Sequence, residues 1–317
     1  MVEVPDPWLV QPALHDRVSC QAAAQHRETD AFRGDRLDGA GVATAKVEYS
    51  YDLMEQEALR FVEQNRQGPF FLYLAVTLPH ANNEGGKNGM EVPDYGTYAD
   101  KDWPESDKGR AAMITRLDRG VGRLLQKLAD LGIDENTIVF FASDNGPHRE
   151  GGANPEFFHS SGSLRGIKRD LYEGGIRVPL LARWPGHILT GTVTNHVSAF
   201  WDFPPTLAEL ARAECPAGTD GISLRPTLLG SFRQQEMHTF LYWEFHEGGS
   251  KQAVRIGRWK AVRLTVGGKL ELYDLQTDLG ETRNVAESHR EVVAKIEAYL
   301  KTARTESQFW PLKGGTA

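Results

Sequence analysis

A strand–helix–strand pattern organises the first half of the 317-residue chain. Phe70 to Leu78 is a nearly unbroken apolar run of strand length, which is typical of a strand buried on both faces. Apolar residues recur at helical spacing from Lys108 to Leu131, and Gly132 follows as a C-cap. A second short apolar run, Thr137 to Ser143, predicts another strand. Two strands joined by a crossover helix are almost always parallel neighbours, so the sequence predicts an α/β fold.

Polar residues follow both predicted strands. His80 comes after Pro79 at the end of the first strand, and Asp144-Asn145-Gly146 follows the second. Ligands of open α/β sheets bind outside the carboxyl ends of the strands, and Asp and Asn supply the hard oxygen donors that Ca²⁺ or Mg²⁺ prefers. Taken alone, Asp-Asn-Gly is also a common turn sequence, and an isolated histidine is more often a hydrogen-bonded residue at the rim of a core.

A basic loop lies further along the chain, where Lys168 stands between Arg165 and Arg169. A lysine in such a loop can hold a tetrahedral anion as a point charge, although basic clusters are also commonly solvated surface. His148 and His159 flank the loop after the Asp-Asn pair and are candidate substrate contacts.

The pattern divides the chain into three parts. Residues 1–45 show neither helical nor strand periodicity and are expected to be a loop-rich or disordered lead-in. Residues 46–235 are expected to form the α/β domain, which opens with a helix over 50–64 capped by Ser50. Residues 236–317 are expected to form a small antiparallel sheet with one helix. The predicted strands of this last part are 240–245, 252–256, 259–264 and 270–274, and its helix is 289–302.

Composition excludes some classes of function. The formal net charge is -7 and no basic stripe is visible, which argues against a nucleic-acid surface but leaves an anionic substrate open. Cys20 and Cys215 are far apart and form neither a disulfide framework nor a metal-ligand spacing. Residues 1–14 lack the pattern of a signal peptide, and the apolar run 70–78 is far shorter than the roughly 18 residues that span a bilayer. We therefore expect no membrane span, and the compartment stays open.

Taken together, the motifs resemble the arylsulfatase family over about residues 47–310. The motifs that carry the resemblance are Pro79-His80, Asp144-Asn145-Gly146-Pro147-His148, Leu164-Arg165-Gly166-Ile167-Lys168, Tyr172-Glu173-Gly174-Gly175-Ile176-Arg177-Val178-Pro179, Trp184-Pro185-Gly186, Asp202-Phe203, Leu272-Tyr273-Asp274-Leu275 and Glu281-Thr282-Arg283-Asn284. The resemblance implies an α/β, alkaline-phosphatase-like fold with a mixed, mainly parallel sheet flanked by helices. It also implies that the N-terminal strands are missing and that a small C-terminal antiparallel sheet carries a helix.

The resemblance also implies a chemistry, the hydrolysis of sulfate esters. Members of the family hold the sulfate with Ca²⁺, for which Mg²⁺ is the alternative, and use formylglycine as the nucleophile. Asp144 and Asn145 match two of the metal ligands, and His80 and Lys168 match residues that contact the sulfate or the leaving oxygen. His148 is a further candidate for substrate binding. The implied substrate is a small-molecule or carbohydrate sulfate ester, and the implied compartment is periplasmic or secreted.

The loop over residues 81–107 is unusually long for a simple connection, which favours a functional role. Tyr95 and Trp103 within it are candidates for stacking on a sugar ring.

The chain departs from the family pattern upstream. Formylglycine is made from the Cys or Ser of a Cys/Ser-x-Pro-x-Arg motif, which this sequence does not contain, and it has no adjacent Asp-Asp pair. Cys20 is followed by Gln-Ala-Ala, and Cys215 by Pro-Ala-Gly. We therefore expect the chain alone to be inactive and to bind Ca²⁺ weakly, and residues 1–45 to reflect a misread or truncated start.

Two other functions stay open. One is a non-catalytic remnant or anion-binding module, which the missing nucleophile favours. The other is a phosphoryl-transfer relative of the same superfamily, against which stands the lack of a second cluster of Asp and His in the sequence.

Overall fold

The computed structural model describes residues 48–314 and the backbone of residues 32–33. The chain folds into two compact units. Within the described residues, the first unit consists of 48–137 and 148–158, and the second unit consists of 138–147 and 159–314. The lead-in predicted over 1–45 lies outside the described residues except for that short backbone stretch, and Cys20 lies outside them as well.

The strands are β1 (Phe32–Arg33), β2 (Glu48–Tyr49), β3 (Val139–Ala142), β4 (Leu180–Arg183), β5 (Leu241–Phe245), β6 (Lys251–Ile256), β7 (Trp259–Arg263) and β8 (Glu271–Asp274). The α-helices are α1 (Ser50–Asn65), α2 (Glu105–Asp130), α3 (Glu173–Ile176), α4 (Phe203–Ala211), α5 (Arg225–Leu228) and α6 (Arg290–Leu300). Short 3₁₀ turns lie at Asn83–Asn88, Gly96–Tyr98, Asp134–Asn136, Glu150–Gly152, Phe200–Asp202 and Phe232–Gln234. No helix in the described part of the chain has both the length and the apolar composition that crossing a membrane requires.

The first unit is organised around the pair of helices α1 and α2, both of which the sequence predicted. Arg116 donates to Asp52 at 2.7 Å and Lys127 donates to Glu63 at 2.7 Å, so charged pairs join the two helices. The core of this unit consists of Tyr49, Tyr51, Leu78, Ala81, Met90, Met113 and Ala153. The N-cap of α1 is Tyr49, without a side-chain hydrogen bond, so the predicted role of Ser50 as a cap is wrong.

The segment 70–78 is not paired as the sequence predicted. It belongs to no strand ladder, and every ladder among the described residues is antiparallel, so the predicted parallel neighbours are not formed there. Val76 and Leu78 pack on the core of the first unit, while Phe71 and Tyr73 are 54% and 80% exposed. Burial on both faces was therefore a wrong expectation, because only one face of this apolar run has a covering layer.

The second unit contains two sheets. β3 pairs with β4 in a two-stranded antiparallel ladder, and β5 to β8 form a four-stranded antiparallel meander in sequence order. Gly257, with φ +54°, allows the tight turn between β6 and β7. Helix α6 covers one face of the meander, where Ile296 joins Val254, Ala261, Leu270 and Leu272 in one buried cluster. The predicted C-terminal antiparallel sheet with a helix is confirmed.

Candidate active site

His80 lies in the first unit, just after the extended segment 70–78. Its Nδ1 is 2.7 Å from the carbonyl oxygen of Ala81, and its Nε2 is 3.0 Å from Oε2 of Glu150. A carbonyl oxygen can only accept, so Nδ1 carries a proton, and Nε2 also faces an acceptor. The arrangement fits an imidazole that donates from both ring nitrogens.

His148 lies beside His80 but differs in its hydrogen bonds. The two rings stack with centroids 5.2 Å apart. The backbone N–H of Glu150 donates to Nδ1 of His148 at 3.1 Å, and Nε2 lies 3.3 Å from the carbonyl oxygen of Pro79. In this arrangement Nδ1 of His148 accepts a backbone N–H and Nε2 faces a carbonyl oxygen, which differs from the two acceptors that face His80. Sequence reasoning missed Glu150, whose carboxylate contacts His80, because no motif links it to a residue 70 positions away.

Asp144 and Asn145 lie in the second unit, directly after β3. The side-chain amide of Asn145 donates to Oδ1 of Asp144 at 2.8 Å, so the two predicted metal ligands face each other. Gly146 follows, and its N–H donates to the carbonyl oxygen of Gly175 at 2.9 Å. A Cβ added at Gly146 would lie 1.8 Å from the carbonyl oxygen of Gly174, so only glycine permits this approach.

Lys168 belongs to the same unit and is tied to this loop through the backbone. Its N–H donates to the carbonyl oxygen of Pro147 at 2.8 Å. Beside it, Asp170 closes the loop by accepting from the N–H of Ile167 at 3.0 Å. Arg169 has a φ of +79° and donates to Glu247 at 2.6 Å. The structure thus places the lysine loop and the Asp144–Asn145 loop next to each other.

The second unit also contains a buried charged cluster that the sequence did not predict, formed by Lys260, Glu173 and Glu281. Nζ of Lys260 lies 2.9 Å from Oε1 of Glu173 and 3.9 Å from Oε1 of Glu281, and all three residues are buried. Oε2 of Glu281 accepts the backbone N–H of Glu173 at 2.7 Å, while its Oε1 has no hydrogen-bond partner. Burial raises the pKa of Glu281 to about 7, although the nearby Lys260 opposes the shift.

Other candidate residues have different surroundings. Trp103 stacks on Tyr98 with ring centroids 5.7 Å apart and meets Phe157 and Phe158 edge-on, so an aromatic cluster forms without Tyr95. His159 has a φ of +49° and is exposed.

The donor set can be tested against the implied metal. A carboxylate and an amide oxygen side by side fit a hard cation such as Ca²⁺, which takes 6–8 oxygen ligands. Asp144 and Asn145 supply two side chains of such a set, and residues 48–314 contain no group of three or more His, Cys, Asp or Glu that could hold a metal ion. The two residues fit as part of a metal site, and they do not complete one by themselves.

Comparison with known proteins identifies the family. The family model described as Sulfatase matches residues 14–213, which is more than half of the chain. This chain belongs to the sulfatase family. A second family model, N-sulphoglucosamine sulphohydrolase, C-terminal, matches residues 167–306.

Individual sulfatases give the same result. Human (Homo sapiens) arylsulfatase A is 34% identical over 272 residues, which cover 77% of this chain and 48% of that protein. N-acetylgalactosamine-6-sulfatase of Mus musculus is 33% identical over 243 residues, covering 74% of this chain and 42% of that protein. The crystal structure of Ps i-CgsB in complex with k-i-k-neocarrahexaose is 28% identical with a TM-score of 0.70, covering 86% of this chain and 59% of that chain.

These relatives confirm the family resemblance and the alkaline-phosphatase-like fold class. The chain spans about half the length of the curated sulfatases it matches. The Sulfatase match begins at residue 14, upstream of the motifs that carry the resemblance in the sequence.

Proposed function

We propose that this chain forms part of the active site of a sulfatase that hydrolyses sulfate esters. One observation carries the proposal. The hydrogen bond from Lys168 N–H to the carbonyl oxygen of Pro147 joins the anion-binding lysine to the loop that holds Asp144 and Asn145. A cation-binding pair and a positively charged side chain on neighbouring loops are what the recognition of a sulfate group needs.

The roles follow from the chemistry of each side chain. Asp144 and Asn145 would hold Ca²⁺, or Mg²⁺, through their oxygen atoms, and such a cation offsets negative charge on a sulfate group. The ammonium group of Lys168 contacts an oxygen of the same group as a point charge. Next to it, the side chain of Arg169 donates to Glu247 at 2.6 Å.

In the first unit, His80 is proposed to contact the sulfate or the leaving oxygen. Both of its ring nitrogens face acceptors, so the side chain can donate a proton at Nε2 when a substrate oxygen replaces Glu150. His148, stacked on His80, is proposed to limit the orientation of that ring and to contact the substrate.

The sequence does not contain the Cys/Ser-x-Pro-x-Arg motif from which the family makes its formylglycine nucleophile. We therefore propose that the chain binds an anion and does not turn over a sulfate ester by itself. An anion-binding module without catalysis is the second candidate function, and the missing motif favours it.

The substrate class and the compartment are also proposals. The complex of Ps i-CgsB with a neocarrahexaose supports a sulfated carbohydrate as the substrate. Aromatic residues around Trp103 could stack on a sugar ring. We propose that residues 46–235 act as a partial sulfatase domain with 236–317 as a C-terminal subdomain, in a periplasmic or secreted protein.

The test measures binding and turnover separately on the purified chain. Titration with inorganic sulfate in the presence of Ca²⁺ is expected to give weak binding that Lys168→Ala abolishes and Lys269→Ala, at an exposed lysine, leaves unchanged. Titration with Ca²⁺ is expected to give a dissociation constant on the order of 10⁻³ M or weaker, lost in Asp144→Ala. Equal sulfate binding by wild type and Lys168→Ala would remove the proposed anion site.

Turnover is measured with para-nitrophenyl sulfate and Ca²⁺, and none is expected. Hydrolysis that disappears in Asp144→Ala would mean that the chain holds a nucleophile of its own. Tight Ca²⁺ binding would mean that other residues complete the metal site.

A further inference from the structure

Backbone hydrogen bonds join the turn α3 to both proposed binding loops. The carbonyl oxygen of Gly175 accepts the N–H of Gly146, next to Asn145. The N–H of Gly174 donates to the carbonyl oxygen of Arg165 at 2.7 Å, in the loop that carries Lys168. A displacement of this single turn would therefore move both loops.

The backbone of α3 lies so close to the lysine loop that no side chain fits between them. A Cβ added at Gly174 would lie 2.2 Å from the carbonyl oxygen of Gly166, and one added at Gly175 would lie 2.2 Å from that of Asp170. Glycine alone allows these approaches, so α3 and the lysine loop fit together in one arrangement.

Glu281 holds the first residue of this turn from outside it. Its Oε2 accepts the N–H of Glu173 at 2.7 Å. Glu281 has a φ of +50°, in the left-handed region that non-glycine residues seldom adopt. Asp278 accepts the N–H groups of Thr282 at 2.9 Å and Arg283 at 2.8 Å, which fixes the turn that presents Glu281. A strained backbone held in place by these bonds is typical of a residue whose position matters.

Stability is a weak explanation for this arrangement. Lys260 and Glu281 are both 0% exposed, and Oε1 of Glu281 has no hydrogen-bond partner. Apolar residues of similar volume often replace buried ion pairs without loss of stability, whereas a defined geometry is the better-attested benefit of such pairs. The hydrogen bond to Glu173 N–H is the specific geometric contribution that Glu281 makes.

We propose that Glu281 is a positioning residue that anchors the turn α3 and thereby sets the placement of the Asp144–Asn145 pair beside the Lys168 loop. It touches neither substrate nor metal and acts through Glu173 and Gly146. The inference rests on the proposed function for the roles of Asp144 and Lys168, and the mechanical link stands on the contacts within the second unit.

The test compares Glu281→Met with Glu281→Gln. Methionine keeps the volume and removes the acceptor for Glu173 N–H, whereas glutamine keeps an acceptor oxygen. Lys260 keeps Glu173 as its partner in both variants. Three quantities are measured: hydrogen exchange at the amide of Gly146, Tb³⁺ affinity as a probe of the metal pair, and inorganic sulfate affinity.

Glu281→Met is expected to accelerate exchange at Gly146 and to weaken Tb³⁺ and sulfate binding about 10- to 100-fold. Glu281→Gln is expected to keep all three quantities near wild type. Ile296→Ala, which opens a cavity in the core under α6, controls for stability and is expected to lower the melting temperature without changing either affinity.

The proposal is overturned if folded Glu281→Met keeps wild-type exchange at Gly146, or if Glu281→Gln loses as much as Glu281→Met. If Glu281→Met does not fold, Glu281→Asp, which withdraws the acceptor by one methylene, carries the same expectation. Asp144→Ala separates this proposal from the function: Tb³⁺ binding that survives Asp144→Ala contradicts the metal site, while exchange at Gly146 still decides the role of Glu281.

Discussion

The two sheets of the second unit differ in how far their apolar side chains are buried. In the meander β5 to β8, Ala261, Val262 and Leu272 are completely buried, and α6 covers a face of the sheet. In the pair β3–β4, Leu180 and Leu181 are 40% and 59% exposed. The meander completes its own core, whereas β3–β4 leaves apolar side chains partly exposed to solvent.

The extended segment 70–78 of the first unit resembles β3–β4 in this respect, since its outward residues are apolar and exposed. The exposure of apolar side chains therefore distinguishes a sheet that closes its own core from segments that leave one apolar face in solvent.

The largest loss of stability is expected when a buried charged residue is replaced. Lys260→Met leaves the Glu173 and Glu281 carboxylates buried without their shared cation, so a loss of about 3–5 kcal/mol is expected. Arg225→Met removes the cation of an exposed pair with Glu209, so a loss of at most about 1 kcal/mol is expected. Urea unfolding of both variants measures the difference, and equal losses would show that the cluster under the meander is not buried in solution.

A matched pair of leucines tests the two sheets directly. Leu272→Ala in the meander is expected to destabilise the chain by about 2–5 kcal/mol because it opens a cavity in a closed core. Leu181→Ala in β4 is expected to cost less than about 1 kcal/mol because the side chain is mostly in water already. A large loss at Leu181 would mean that β3–β4 is covered after all, for example in a dimer.

The free energy of unfolding is expected to depend on pH through the titration of Glu281. Burial raises its pKa from 4.5 to about 7, so the folded state binds this proton more tightly than the unfolded state. The stabilisation is therefore complete below about pH 4.5 and is lost as the pH rises through about 7, an effect on the order of 2 kcal/mol. The charged groups around the carboxyl group include Lys260, Glu173, Arg165 and Arg255.

Glu281→Gln removes the titration, and its unfolding free energy is expected to change less than that of wild type between pH 4.5 and 7. Parallel curves for the two proteins would contradict the raised pKa. Denaturant titrations at fixed ionic strength provide the measurement.

The smallest effect on stability is expected at the uncovered faces. Tyr73→Lys and Leu181→Lys place a charge where each side chain already meets solvent, so the free energy of unfolding is expected to change by about 0.5 kcal/mol or less. The same substitutions are expected to reduce binding of a hydrophobic dye and self-association, because they interrupt the apolar faces. Unchanged dye binding would place the accessible apolar surface elsewhere.

Periodicity made much of the fold predictable. The helices α1 and α2 and all four strands of the meander were predicted to within a few residues, because the apolar residues of each recur at the spacing of its own element. The segment 70–78 failed because an apolar run has the same composition whether one face or both are covered. The covering layer is a property of distant chain segments, which no local pattern encodes.

The site was predictable only where motifs mark it. Sequence motifs identified His80, the Asp144–Asn145 pair and Lys168, whose roles stay predictions. Glu150 and Glu281 were missed because each acts through a contact with a residue 70 or 108 positions away. The backbone N–H that donates to Nδ1 of His148 belongs to the folded loop and has no sequence signal.

The hydrogen bond from Gly146 to Gly175 also affects how readily Asn145 is deamidated. When glycine follows asparagine, the next backbone nitrogen readily attacks the carbonyl carbon of the asparagine side chain and expels ammonia. Water then opens the resulting succinimide to aspartate or isoaspartate. At Asn145 that nitrogen is bound to the carbonyl oxygen of Gly175, which restrains it from rotating toward the amide. We expect peptide mapping of stored protein to find Asn145 intact in the folded chain and deamidated after unfolding. The contact that orders this loop would then also preserve its chemical identity.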